Sequence, residues 1–437
     1  MKGRRLLALA APLVAVAAGV ATFACFVPDY SQRVAATANV APSKDAYTLK
    51  VGDELDTGAL DGMTKSLKPT TVRAVLNPRG GLKGKWNGSC GRDARVPAGA
   101  KVFCFNAADD RSTEWYPQGI TGVSDARADE RWGAERPLLV SWYDEDRRGV
   151  DKSARLTFVN TRTGTYRHVL LVWPYRNAQG RTTYEPIGTR ATDTGIHAGG
   201  LAWYGDRLYV ADTGSGLRVF DMRRIFDLGE NGSTARRDLI GLHDDTYHAY
   251  GYRYVMPQVL SYVPNKQSGE PCTSEGTPNH SWLSINRTGQ DTLVTGEWCQ
   301  DDRGRVAQFP LTAPGSGLNG HSAPASGDLV TDGRGHAVPT SVMRLPASQI
   351  QGGATANGMW WFTRNVPGDE RPYPPGQNMN VGELLRARWS NGFKDVRRTA
   401  ISFGPEDLSC WRGQHRMWTI AEHPGRRALY GMHDPRC

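Results

Sequence analysis

The sequence lacks most signatures that would assign a chemistry. No Cys-x-x-Cys occurs, which argues against a cysteine zinc site. Gly-x-Ser-x-Gly, His-Glu-x-x-His, a Walker loop and a dinucleotide fingerprint are all missing. Lysine is scarce, with 11 among the 53 basic residues, and the net charge of +9 is dispersed without a dense basic tract. Nucleic-acid binding is therefore not expected. Long helical patterns are few, which argues against a helix bundle.

The 437 residues are instead rich in glycine (50) and tryptophan (13), with 39% apolar content. That mixture suits short strands, frequent turns and aromatic packing. The chain opens with Lys2, Arg4 and Arg5 before an apolar run from Leu6 to Val27. This reads as an export signal over residues 1–38, with cleavage near Ala36-Thr37-Ala38. Two other uses stay open: an uncleaved membrane anchor through residues 6–27, and a lipoprotein modified at Cys25. Each places the rest of the chain outside the cell.

Cysteine usage agrees with a secreted, extracellular location. Cys90, Cys104, Cys272, Cys299, Cys410 and Cys437 fall as three neighbouring pairs, each closing a modest loop. Short closures favour 90–104, 272–299 and 410–437 in an oxidising compartment, with 104–437 as the rival pairing.

Residues 39–101 read as a peripheral N-terminal arm. From residue 102 to 437 the chain repeats a strand-and-turn unit. Its clearest copy is residues 195–222, GIHAGGLAWYGDRLYVADTGSGLRVFDM. Gly205-Asp206 makes a tight turn between two short alternating strands, and a third strand follows. Related units open near Gln118, His280, Gln351 and Glu406, with a degraded copy over residues 247–264. Repeated meanders of this length predict an all-β, six-bladed β-propeller; five or seven blades fit the same spacing. Lys101 to Asn106, KVFCFN, is placed to complete the last blade by pairing with the C-terminal strands. Ring closure leaves no open edge, and a monomer is expected.

DRLYVADTGSGLRVFDM, residues 206–222, resembles a blade of the broad six-bladed group that takes in NHL, SMP-30 and strictosidine-synthase-like proteins. As a whole the chain resembles exported actinobacterial propeller proteins. The resemblance implies fold rather than activity, and it transfers no catalytic residue.

The first residues of a propeller's inner strands crowd one mouth of the axial channel. Alignment of the units puts one polar residue at that point of each, followed by a short one: Gln118-Gly119, His197-Ala198, His248-Ala249, His280-Ser281, Gln351-Gly352 and Glu406-Asp407. Bulky followers would not fit where inner strands converge. Gln118, His197, His248, His280, Gln351 and Glu406 are thus the candidate ligand-binding residues. Among them His197, His248, His280 and Glu406 have the donors to hold one divalent metal ion of unspecified identity. Three uses stay open: mutual hydrogen bonding with trapped water, an organic ligand, or a metal that activates water. Asp212, Glu297 and Glu422 follow the second strand of three units and either face the same mouth or cap turns. The expected function is binding of a ligand or surface partner at the channel mouth. The alternative is a metal-assisted hydrolase or lyase, so enzyme status stays open.

Overall fold

Strands buried along their whole length need a neighbour on both faces. All seven residues of Ala154–Asn160 and all six of Gly216–Asp221 are buried, so each lies in a sheet packed between two others. The computed structural model describes residues 42–437 apart from 53–54, 78–79, 91–93, 146–150, 189–194, 230–235, 314–326 and 367–380. The expected signal over residues 1–38 lies outside the described residues.

In the arm, β1 (Leu49–Val51) is followed by helix α1 (Thr57–Ser66), whose N-terminus is capped by the Asp56 carboxylate accepting from the Ala59 N–H. After the short helix Val72–Leu76 and three strands of two or three residues comes β2 (Lys101–Cys104). The first blade contains β3 (Trp115–Gly122), β4 (Pro137–Asp144), β5 (Ala154–Asn160) and β6 (Thr165–Arg176), antiparallel in that order. The second begins with β7 (Leu201–Tyr204), β8 (Arg207–Asp212) and β9 (Gly216–Asp221). A separate hairpin follows, β10 (Ile240–His243) with β11 (Thr246–Ala249). Then β12 (Tyr254–Pro264) completes the second blade. The third blade is β13 (Trp282–Asn286), β14 (Thr292–Gly296), β15 (Arg305–Pro310) and β16 (Ser341–Arg344). The fourth is β17 (Ile350–Ala356), β18 (Met359–Asn365), β19 (Val381–Trp389) and β20 (Phe393–Phe403). The fifth has β21 (Ser409–Trp411), β22 (Arg416–Ile420) and β23 (Leu429–His433), with β2 as its fourth strand and Lys85–Trp86 paired beyond it.

The innermost strands β3, β7, β13, β17 and β21 neighbour one another in cyclic order, and β21 returns to β3. The all-β propeller read from the repeats is what the chain forms. Its ring has five blades among the described residues, one of the counts the spacing allowed, rather than six. The degraded unit at 247–264 makes no sheet of its own. Its His248 sits on β11, and its strand β12 is used twice. Leu260 to Tyr262 pair with β9 as the outer strand of blade two, while Tyr254 to Pro257 run parallel to Val169–Val172 of β6.

Closure occurs as the sequence indicated. β2 pairs with β23 in the register Leu429 with Phe103, Tyr430 with Val102 and Gly431 with Lys101. The ring therefore joins a segment from early in the chain to the last strand. Elsewhere the arm protects an edge: β1 pairs with the outer side of β12, Leu49 opposite Pro264. Three disulfides join Cys90 to Cys104, Cys272 to Cys299 and Cys410 to Cys437, with Cα separations of 5.1, 5.8 and 5.4 Å. Cys104 thus pairs with Cys90, not Cys437. Among the described residues, no helix is long and apolar enough to cross a membrane.

Candidate functional site

The inner strands approach so closely that side chains are excluded at their starts. A Cβ on Gly119 would lie 2.7 Å from the Gly200 backbone, and one on Gly352 would lie 2.5 Å from Asp407 Cα. Short followers are needed for this reason. Ala198 takes a left-handed backbone, φ 51°, just after His197. Its carbonyl accepts from Ser141 Oγ at 2.8 Å, and Ser141 Oγ in turn accepts the Gly119 N–H at 2.8 Å. The first two blades are locked together there.

Above this constriction opens a cavity of about 400 Å³. Four of the six sequence-predicted residues line it: Gln118, His197, Gln351 and Glu406. They come from blades one, two, four and five. Blade three contributes Asn279 and Ser281, the neighbours of His280, rather than His280 itself. His280 points into the blade, with Nδ1 3.0 Å from Thr295 Oγ1 and its ring edge-on to Tyr47 at 5.9 Å. A one-residue offset in register turned it from the axis. His248 is displaced further. It belongs to the hairpin beside β6 and its neighbour Tyr184, whose hydroxyl donates to the His248 carbonyl. Four of the six residues therefore share one cavity, and His248 and His280 lie apart from it.

The same placement breaks up the proposed metal set. His197 and Glu406 share the cavity, whereas His248 and His280 do not. Among the described residues, one group has metal-type ligand atoms within 4.8 Å of one another: Cys272, Glu297 and Cys299. Its cysteines form a disulfide, so they offer no thiolates. Glu297 is also taken, by a bidentate pair with Arg305 at 2.7 and 2.9 Å.

Two carboxyl groups dominate the electrostatics. Glu406 is 2% exposed, and its Oε1 is buried without a hydrogen-bond partner among the described residues. Burial pushes it well above the usual carboxylate range, and Glu422 and Asp407 add to the shift. Glu422 accepts from Gln118 Nε2 at 3.1 Å. Burial pushes its carboxyl up to about 7, against the opposing pull of the Gln118 amide and of Arg427. Tyr143 packs on His197 with ring centroids 4.3 Å apart, and burial followed by nearby carboxylates raises its phenol. Below, the buried Asp407 carboxylate accepts N–H groups from Ile120 (3.3 Å), Leu201 (3.0 Å) and Leu408 (2.9 Å). Glu406 and Asp407 are adjacent, yet one serves the cavity and the other ties the ring.

Of the three carboxylates placed after second strands, none lines the cavity, but Glu422 bonds the lining residue Gln118 and Glu297 accepts the N–H of the lining residue Asn279. Asp212 pairs with Arg218 and Glu297 with Arg305. Sequence reasoning missed the lining residues Asn279, Ser281 and Trp298, the last 36% exposed, and Tyr143, which packs on His197. Ser281 was within reach as the short follower of His280. Tyr143 had no signal, because it ends a second strand and enters through blade-to-blade packing.

No family model and no curated protein matches the chain in sequence. Solved structures similar to it include hydrazine synthase of Kuenenia stuttgartiensis, at 14% identity over 71% of this chain and 78% of that one, TM-score 0.30. The Cps50 (Swd1) β-propeller domain of Myceliophteria thermophila is 10% identical over 84% and 99%, TM-score 0.31. The Dos1 propeller is 10% identical over 71% and 68%, TM-score 0.27. At these TM-scores the likenesses carry no assignment, and the propeller rests on the sheet order and the cyclic neighbouring of the inner strands. The NHL, SMP-30 and strictosidine-synthase-like resemblance gains no support from them.

Proposed function

We propose that this propeller binds a small, neutral, hydrogen-bonding organic ligand at its axial mouth. The observation that carries the reading is the buried Glu406 Oε1, which has no partner among the described residues and belongs to a side chain lining the cavity. A buried polar atom normally has a hydrogen-bond partner, protein or otherwise. Burial, with Glu422 and Asp407 nearby, disfavours the charged form of Glu406, and its protonated carboxyl would donate one hydrogen bond while accepting others. The Gln118, Gln351 and Asn279 amides add donors and acceptors, and Trp298 offers an aromatic face at the rim. Nothing in this arrangement favours the metal-assisted alternative, since only His197 and Glu406 of its four ligands share the cavity.

The reading includes export. Three disulfides suit an oxidising compartment, and the basic-then-apolar N-terminus supplies the route. Non-reducing peptide mapping of protein from the culture medium and cell envelope tests this half. Free thiols among the six cysteines would end it.

The ligand half is tested by a thermal-shift screen of neutral sugars, polyols and amides on wild type and Glu406→Leu. A hit should raise the wild-type Tm, lose that effect in Glu406→Leu and keep part of it in Glu406→Gln. Hits that act equally on all three proteins would refute binding at Glu406. Metal analysis of the same samples decides the alternative: a stoichiometric transition metal lost in His197→Ala would replace this reading.

A further inference from the structure

A second concave site lies at the outer side of blades four and five. It has a volume of about 590 Å³ and shares no lining residue with the axial cavity. Arg386 and Arg388 of β19, Arg397 of β20 and Arg436 near the C-terminus line it, together with Asp395 and Asp434.

The strand register makes this concentration of charge costly. Arg386 lies directly opposite Arg397, and Arg388 directly opposite Lys394. Like charges facing each other across an antiparallel pair are destabilising. Two such pairs occur within one hairpin, on an outer strand exposed from Lys394 to Ala400.

The acidic residues do not neutralise them all. Asp434 Oδ2 accepts from Trp361 Nε1 at 2.7 Å and from Arg386 Nη2 at 2.8 Å, and Oδ1 accepts the Arg436 N–H at 3.1 Å. That carboxylate is fully used. Even so, Arg386 Nε is buried without a hydrogen-bond partner among the described residues. Arg436 Nη1 meets the Met359 sulfur, a weak acceptor, at 2.8 Å. The Arg388 and Arg397 side chains form no ion pair or hydrogen bond among the described residues, and neither does the Asp395 carboxylate. Arg386, Arg388, Arg397 and Arg436 thus all keep free donors around one unpaired aspartate.

The geometry points to a binding site for a small oligoanion, carrying two or more phosphate or carboxylate groups, in this arginine-lined groove. Guanidinium forks pair with such groups bidentately, and several within one groove select multiply charged ligands. The volume is that of a small-molecule site rather than a flat contact with a macromolecule. A bound oligoanion would relieve both cross-strand repulsions.

Isothermal titration of the full chain with sodium tripolyphosphate, and separately with citrate, tests this. Tripolyphosphate should bind, weaken as NaCl is raised, and lose roughly tenfold or more in affinity in Arg388→Ser/Arg397→Ser. Arg303→Ser should bind like wild type, since Arg303 is an exposed arginine paired with Asp301 elsewhere. Citrate binding as well would show that the groove reads charge. Tripolyphosphate binding alone would show that it reads phosphate, and both support the site. The double variant should be at least as thermally stable as wild type without ligand, because repulsion is removed, and tripolyphosphate should raise only the wild-type Tm. Should the double variant fold poorly, Arg397→Gln alone gives the same readings with a smaller change. Absence of binding by either anion, or equal binding by wild type and a folded variant, overturns the proposal.

Discussion

Asp407, in the fifth blade, accepts the backbone N–H of Leu201, in the second, at 3.0 Å, reaching past the first blade to do so. The same oxygen accepts from Ile120 of the first blade. One carboxylate therefore ties three inner strands at the point where the ring closes. Asp407→Ala leaves buried donors on Ile120, Leu201 and Leu408 without it, which should cost about 3 kcal/mol or more. Chemical denaturation checks the value. A loss under 1 kcal/mol would show that water replaces the carboxylate and that the tie is dispensable.

Arg305 and Glu297 form an ion pair with both side chains fully buried. Glu297 also accepts the N–H groups of Cys272 and Asn279, so the pair anchors one disulfide and one wall of the axial cavity. Arg305→Met strands a buried carboxylate and should destabilise the fold by about 3–5 kcal/mol. Replacing both partners together, Arg305→Met with Glu297→Leu, should cost less than Arg305→Met alone. If the double variant is no more stable than the single one, the burial argument fails.

The propeller was legible because a blade repeats its turn chemistry. Gly205 with its left-handed φ of 59°, between two alternating strands, marks a hairpin without reference to the rest of the chain. Closure by Val102 and Phe103 was legible for a related reason, since the last unit lacked an outer strand. Blade number was not. Residues 247–264 carry the apolar alternation of a unit, but β12 spends it on two different partners. Local pattern specifies that a strand forms, and only the ring specifies which sheet takes it. The site followed the same division. Gln118, His197, Gln351 and Glu406 were found by equivalence between repeats, whereas His280 failed because a single residue of register reverses a side chain.

His280 is buried, and desolvation lowers its pKa to about 4, with Arg305 adding to the effect. In the unfolded chain an imidazole titrates near 6.5. Between those values the unfolded state binds a proton that the folded state refuses, so this residue removes stability as pH falls from about 6.5 towards 4. His280→Phe keeps an aromatic ring beside Tyr47 and does not titrate. The stability difference between the two proteins should shift by roughly 2–3 kcal/mol in the variant's favour between pH 7 and pH 4. Urea unfolding at both pH values measures it. A difference that stays constant would mean that His280 is not held neutral by burial.

Glu422 acts with the opposite sign. Its carboxyl titrates at about 7 in the fold, raised mainly by burial, against an ordinary value of 4.5. Between those limits the folded state keeps a proton that the unfolded state releases. Its effect is therefore to lower stability as pH rises from about 4.5 to 7, and the loss is complete above that. Glu406 shifts in the same direction, and the buried histidines oppose both below pH 6.5, so the wild-type profile is the sum of cancelling slopes. Glu422→Gln isolates one contribution, because an amide oxygen still accepts from Gln118 and does not titrate. Relative to wild type, the variant should gain about 2 kcal/mol between pH 5 and pH 7.5. The same change should leave any ligand's affinity at the axial mouth independent of pH through that window wherever Glu422 is the group that controls it. Parallel stability profiles for the two proteins would show that Glu422 is ionised at neutral pH, and Glu406 would then face a fixed negative charge behind Gln118 rather than a neutral acid.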